Sequence, residues 1–92
     1  MALARRFLVT GRVQGVGFRY FTETTAVSLG LRGFVRNLRD GRVEAVAEGA
    51  AEAVDAFEQA LRTGPAHARV DQVEVSRAEL MGYTAFAVER TR

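Results

Sequence analysis

Three glycines and an arginine crowd together near the start of the chain, in Gly11-Arg12-Val13-Gln14-Gly15-Val16-Gly17-Phe18-Arg19. Glycine lets a backbone take left-handed turns and approach a ligand closely. Set between a strand and a helix, such a turn aims free N–H groups at the positive end of the helix dipole, and the concavity binds anions. Arg19 adds a planar fork of donors that matches phosphate oxygens. The chemistry indicated is oxyanion binding, with phosphate the first candidate. On this local pattern alone, a tight glycine turn beside a surface arginine is an equally good description. Two better-known phosphate motifs do not fit. The Walker loop needs Gly-Lys-Ser/Thr, and the chain has no lysine; a dinucleotide fingerprint needs a glycine where Tyr20 stands.

Other candidates for chemistry are thin. His67 is the sole histidine, beside Gly64-Pro65 in a predicted loop, and has no partner for a triad, so it reads as a solvated loop residue. Glu44 and Glu48 share one face of a predicted strand and resemble an acid/base pair in type; on an open sheet face they read as solvated surface. No cysteine is present, which removes disulfides, thiolate metal sites and a cysteine nucleophile. Nothing in the sequence forms a metal-ligand cluster, and no cofactor is expected.

The nine-residue run 11–19 resembles the signature of the acylphosphatases, small hydrolases of carboxylic–phosphoric mixed anhydrides. A second motif of that family, Gly-x-Val-x-Asn followed shortly by a turn glycine, is matched by Gly33-Phe34-Val35-Arg36-Asn37 with Gly41 closing the turn. The resemblance extends over about residues 7–88. It implies that Arg19 binds the phosphate, that the backbone amides of Gly15, Val16, Gly17, Phe18 and Arg19 ring the same oxygens, and that Asn37 orients the attacking water. It also implies an acyl phosphate as substrate and inorganic phosphate as product and inhibitor. Some family members carry a hydroxyl residue directly after the asparagine, whereas Leu38 stands here.

Residues of these types need elements to hold them. Residues 5–10 are short, apolar and part β-branched, predicting a strand with Phe7 and Val9 on one face. After the glycine loop a helix is predicted over 20–29, ended by Gly30, with Glu23 in an early turn where the dipole favours it. Its stripe runs through Phe18, Phe21 or Thr22, Thr25 or Ala26, and Leu29. A second strand, 31–37, leads through Asp40-Gly41 into a hairpin. The third alternates Val43, Ala45 and Ala47 against Arg42, Glu44, Val46 and Glu48, predicting an antiparallel sheet with one wetter face. A second helix, 51–62, carries Val54, Phe57 and Leu61 on its apolar stripe and stops at Gly64-Pro65. Strand four is predicted over 69–78 and a last strand over 83–90, continuing the fourth or paired to it. The class is α+β: a ferredoxin-like βαββαβ sandwich, an antiparallel four- to five-stranded sheet with two helices on one face.

Ninety-two residues allow one domain, 1–92, with a modest core. The hydrophobic fraction of 48% and charged fraction of 26% are those of an ordinary soluble protein, and no apolar run approaches the roughly 20 residues of a membrane span. A cytoplasmic monomer is expected. All 13 basic residues are arginine against 11 acidic ones, for a net charge of +2 and a pI near 9.9. The acidic residues are interspersed, which suits a small anionic substrate and argues against nucleic acid. Absent lysine and cysteine, a single asparagine and heavy alanine use point to a GC-rich genome and suit a thermophile with few heat-labile side chains. The alternatives are an RNA- or small-anion-binding ferredoxin-like module and a carbamoyl-phosphate-related accessory domain. Arg32-Gly33-Phe34-Val35 superficially matches the start of an RNA-recognition core motif, but the stacking aromatics are missing from strand three. The accessory domains belong to much longer chains, so the stand-alone enzyme is the expectation.

Overall fold

Successive elements of the computed structural model, which describes residues 2–92, are β1 (Ala2–Arg12), α1 (Phe18–Ser28), β2 (Arg32–Asn37), β3 (Val43–Ala50), α2 (Ala51–Thr63), β4 (Arg69–Arg77) and β5 (Phe86–Val88). They build a five-stranded sheet in the order β4-β1-β3-β2-β5. The pairs β1·β3, β1·β4 and β2·β3 are antiparallel. With two helices, this is the ferredoxin-like arrangement expected.

The last strand corrects one expectation. It neither continues nor pairs with β4: it lies at the opposite edge, parallel to β2, with Gly33 opposite Phe86 and Val35 opposite Val88. The sheet is therefore mixed rather than wholly antiparallel. The cause is the connection 78–85, which carries the chain from one edge of the sheet to the other. There the Phe86 ring meets Phe57 edge-on, centroids 6.0 Å apart. The strand itself is only three residues long, yet backbone pairing continues past it: Glu89 N–H donates to Val35 C=O at 2.8 Å and Arg92 N–H to Asn37 C=O at 2.9 Å.

One face of the sheet holds the core. Phe7 and Val9 of β1, Val35 of β2, and Val43, Ala45 and Ala47 of β3 are fully buried there against both helices. The predicted stripe of α2 is exact in type and position, with Val54, Phe57 and Leu61 all at 0% exposure. Phe57 meets Phe7 edge-on at 5.3 Å. On α1 the i+4 spacing selects Phe18, Thr22 and Ala26. The buried Thr22 hydroxyl is satisfied by donating to Phe18 C=O at 2.8 Å. Gly30, at φ +70°, ends the helix as predicted: its N–H donates to Val27 C=O and that of Leu31 reaches Ala26 C=O.

The opposite sheet face corrects a second expectation. Glu44 and Glu48 are not solvated; they are 4% and 3% exposed. Arg36 on β2 and Arg6 on β1 flank Glu44, donating through Nε at 2.6 and 2.5 Å. Burial pushes the Glu44 carboxyl up, but hydrogen bonds from Arg6 and Arg36, with their charges, outweigh it and hold its pKa below the ordinary value. Glu48 instead accepts three backbone N–H groups of the crossing connection, from Met81, Gly82 and Tyr83. It pins the segment that delivers β5. Glu48→Ala is expected to cost about 2 kcal/mol, the scale of hydrogen bonds to a charged group, by urea denaturation. A loss below about 0.5 kcal/mol, the level of an ordinary surface change, would mean that the connection docks without it.

Candidate active site

β1 ends at Arg12 and α1 starts at Phe18, so the glycine loop is the joint between them. Gly15 and Gly17 take φ of +74° and +77°. Nothing lies within 4 Å of a Cβ added at either position. Glycine is needed there for backbone conformation, not for room. Gly17 is the N-cap of α1 and offers no side-chain cap. The first helical hydrogen bond runs from Phe21 N–H to Gly17 C=O at 3.0 Å. The amides of Phe18, Arg19 and Tyr20 precede it and have no carbonyl within the helix to receive them. The helix begins at Phe18 rather than Tyr20, so Glu23 lies in its second turn and the first turn holds no acidic residue. The positive end of the dipole is left open to an anion.

Beside this joint is a cavity of about 230 Å³, with Gly15, Gly17, Phe18 and Arg19 on one side and Asn37 and Val88 on the other. Such a volume is below that of sites for drug-sized ligands. Arg19 is half-buried, and its Nη1 donates to Glu89 C=O at 3.1 Å, which aims the guanidinium without neutralising it. Asn37 is the last residue of β2, paired with Val43. Its Oδ1 is buried and, among the described residues, accepts no hydrogen bond from the protein. Val16 turns its side chain to the core and is not among the residues lining the cavity.

Four of the five predicted loop positions, Gly15, Gly17, Phe18 and Arg19, thus line one cavity with Asn37, from two separate stretches of chain. Three participants carried no legible signal. Glu89 acts through a backbone carbonyl, which no side chain announces. Tyr20, 74% exposed, stands at the rim. Gln14 donates through Nε2 to Leu38 C=O at 2.7 Å and Arg42 C=O at 2.9 Å, tying the glycine loop to the β2–β3 hairpin; its one cue was a place inside the glycine run. His67 is an exposed loop residue, as expected. Arg6 is structural, through Glu44. A larger cleft of about 680 Å³ opens around Leu3, Arg5, Arg77 and Leu80, but no glycine or amide side chain lines it.

Comparison with known proteins agrees with this geometry. The acylphosphatase family model matches residues 5–88. An acylphosphatase of Koribacter versatilis is 57% identical over 74 residues, covering 80% of this chain and 67% of that one. One from Thermus thermophilus is 53% identical over 81 residues, covering 88% and 92%. The crystal structure of acylphosphatase from Bacillus subtilis superposes with a TM-score of 0.92 at 40% identity, over 97% of this chain and 99% of that one. A match of this length and identity, on a fold whose glycine joint and asparagine line one cavity, leads to one conclusion: the chain belongs to the acylphosphatase family, hydrolases acting on acid anhydrides.

Proposed function

We propose that the acylphosphatase reaction of this chain, hydrolysis of an acyl phosphate to a carboxylate and inorganic phosphate, runs on three parts of one cavity. The backbone amides of 15–19 and the guanidinium of Arg19 bind the phosphoryl oxygens. Asn37 holds the attacking water in line through its side-chain amide. The observation that carries this reading is a helix N-terminus free of acidic residues that lines one cavity with Asn37, whose buried Oδ1 has no protein partner among the described residues. A water donating to that oxygen would satisfy it and be oriented by it.

The chemistry asks little more. Water oxygen bonds to phosphorus as the phosphorus–acyl oxygen bond breaks, the bonding pair leaves on the carboxylate, and the water's protons pass to phosphate and solvent. A carboxylic acid has a pKa of about 4, so the leaving group needs no general acid. Phosphoryl transfer of this kind is mainly positioning and charge stabilisation. Fixed N–H donors and one guanidinium supply the charge term, and a held water supplies the positioning. No metal is required by this scheme.

The working unit is the single domain 1–92, acting as a cytoplasmic monomer on a small anion. Among the described residues no helix is long and apolar enough to cross a membrane. Nucleic acid is not a ligand in this reading. The sheet face opposite the helices carries Arg6, Glu44 and Arg36 as mutual ion pairs, and β1 and β3 present no aromatic side chain there for base stacking.

The test is hydrolysis of benzoyl phosphate beside p-nitrophenyl phosphate, with and without chelator. Benzoyl phosphate should be turned over at a rate that chelator leaves unchanged, and the monoester should react very poorly because its leaving oxygen finds no acid. Activity lost to chelator and restored by a divalent ion would refute the metal-free scheme. Comparable rates on both substrates would refute the leaving-group argument.

A further inference from the structure

We infer that Gln14 is a positioning residue for the reaction, setting Asn37 and its water against the phosphate loop; this rests on the roles proposed above for Arg19 and Asn37. Asn37 cannot be oriented through its own Oδ1, which has no protein partner among the described residues. Its placement comes from the backbone around it. On one side that is the ladder to Val43 and the Arg92 N–H on its carbonyl. On the other it is Leu38, the next residue, whose carbonyl accepts from Gln14 Nε2 at 2.7 Å. The same nitrogen donates to Arg42 C=O at 2.9 Å, and the Leu38 N–H donates to Arg42 C=O at 2.8 Å. Both protons of the amide are thereby used, one on each arm of the hairpin.

The geometry ties two stretches that are remote in sequence. Gln14 precedes Gly15, the first left-handed residue of the loop, and Leu38 follows Asn37. A single side chain therefore spans the gap between the anion-binding amides and the water-holding amide. No other side-chain hydrogen bond among the described residues joins the glycine loop to that hairpin. Because a misplacement of about 1 Å can cost on the order of 10² in rate, a link of this kind acts on turnover. Phosphate affinity is expected to change little, because the Phe18 and Arg19 amides belong to the first turn of α1 and the Arg19 guanidinium is held by Glu89.

Gln14→Met keeps the length of the side chain and removes both donors. It is expected to lower kcat by about 10- to 10²-fold, with KM and the calorimetric Kd for inorganic phosphate unchanged within about twofold and the fold intact by circular dichroism. The decisive reading is a double-mutant cycle with Asn37→Ala. If Gln14 works through Asn37, Gln14→Met has little further effect on kcat once Asn37 is gone. Equal effects in both backgrounds would overturn the proposal, as would an unchanged kcat or a phosphate affinity that falls in step with it. Should Gln14→Met not fold, Gln14→Asn, which keeps the amide but shortens its reach, is expected to show the same split and the same lack of additivity. Full activity of Asn37→Ala by itself would instead contradict the role of Asn37, a failure distinct from that of Gln14.

Discussion

Arg19→Ala is expected to weaken binding of inorganic phosphate and of substrate, and to lower turnover by about 10²–10³, the usual effect of deleting one charge-stabilising donor. The argument is positional. Arg19 lies in the first turn of α1, and its Nη1 is held by Glu89 C=O at 3.1 Å. One edge of the fork is thus fixed by the protein, and the remaining donors face the cavity that Gly15 and Gly17 line. In the proposed scheme they meet the phosphoryl oxygens before and during reaction, so Kd, KM and kcat should all suffer. Arg19→Lys should not rescue, because a point charge cannot both hold the Glu89 carbonyl and present a planar pair of donors. Steady-state kinetics beside phosphate calorimetry will decide it; a lysine variant within about threefold of the parent would mean that charge alone suffices.

Asn37→Ala is expected to remove most turnover while leaving phosphate affinity nearly intact, because the water assigned to it in the proposed scheme is needed only for the chemical step. The same change should not harm the fold. Its Oδ1 makes no protein hydrogen bond among the described residues, so the change breaks no protein hydrogen bond of that atom. A thermal melt should therefore show the variant about as stable as the parent. A large drop in melting temperature would instead make Asn37 a structural residue.

The parts of this account that were legible in the sequence are those set by local pattern. Val54, Phe57 and Leu61 follow one helical stripe, and all are buried. Asp40-Gly41 marks a turn, and Gly41 takes a φ of +98° there. Gly15 and Gly17 announce a loop with left-handed residues, and that is their conformation. What stayed hidden depends on contacts between distant segments. The residues 83–90 look equally apolar whichever edge they join, and only the crossing of 78–85, caught by Glu48, puts β5 beside β2. Glu44 alternates like a surface residue, but Arg6 and Arg36 close over it from two other strands. Gln14 resembles any polar loop residue until the hairpin carbonyls are in place around it. Leu38 stands where a hydroxyl residue can follow the asparagine, and here it is its backbone carbonyl that takes part in the site, through Gln14.

The central claim is that one cavity divides its labour, with Arg19 and the loop amides binding phosphate and Asn37 holding water. Isothermal calorimetry of inorganic phosphate against the parent, Arg19→Ala and Asn37→Ala tests it most directly. The account predicts heat of binding for the parent, nearly the same Kd for Asn37→Ala, and a Kd weakened by at least about tenfold for Arg19→Ala. Equal losses in the two variants, with both still melting normally, would contradict it.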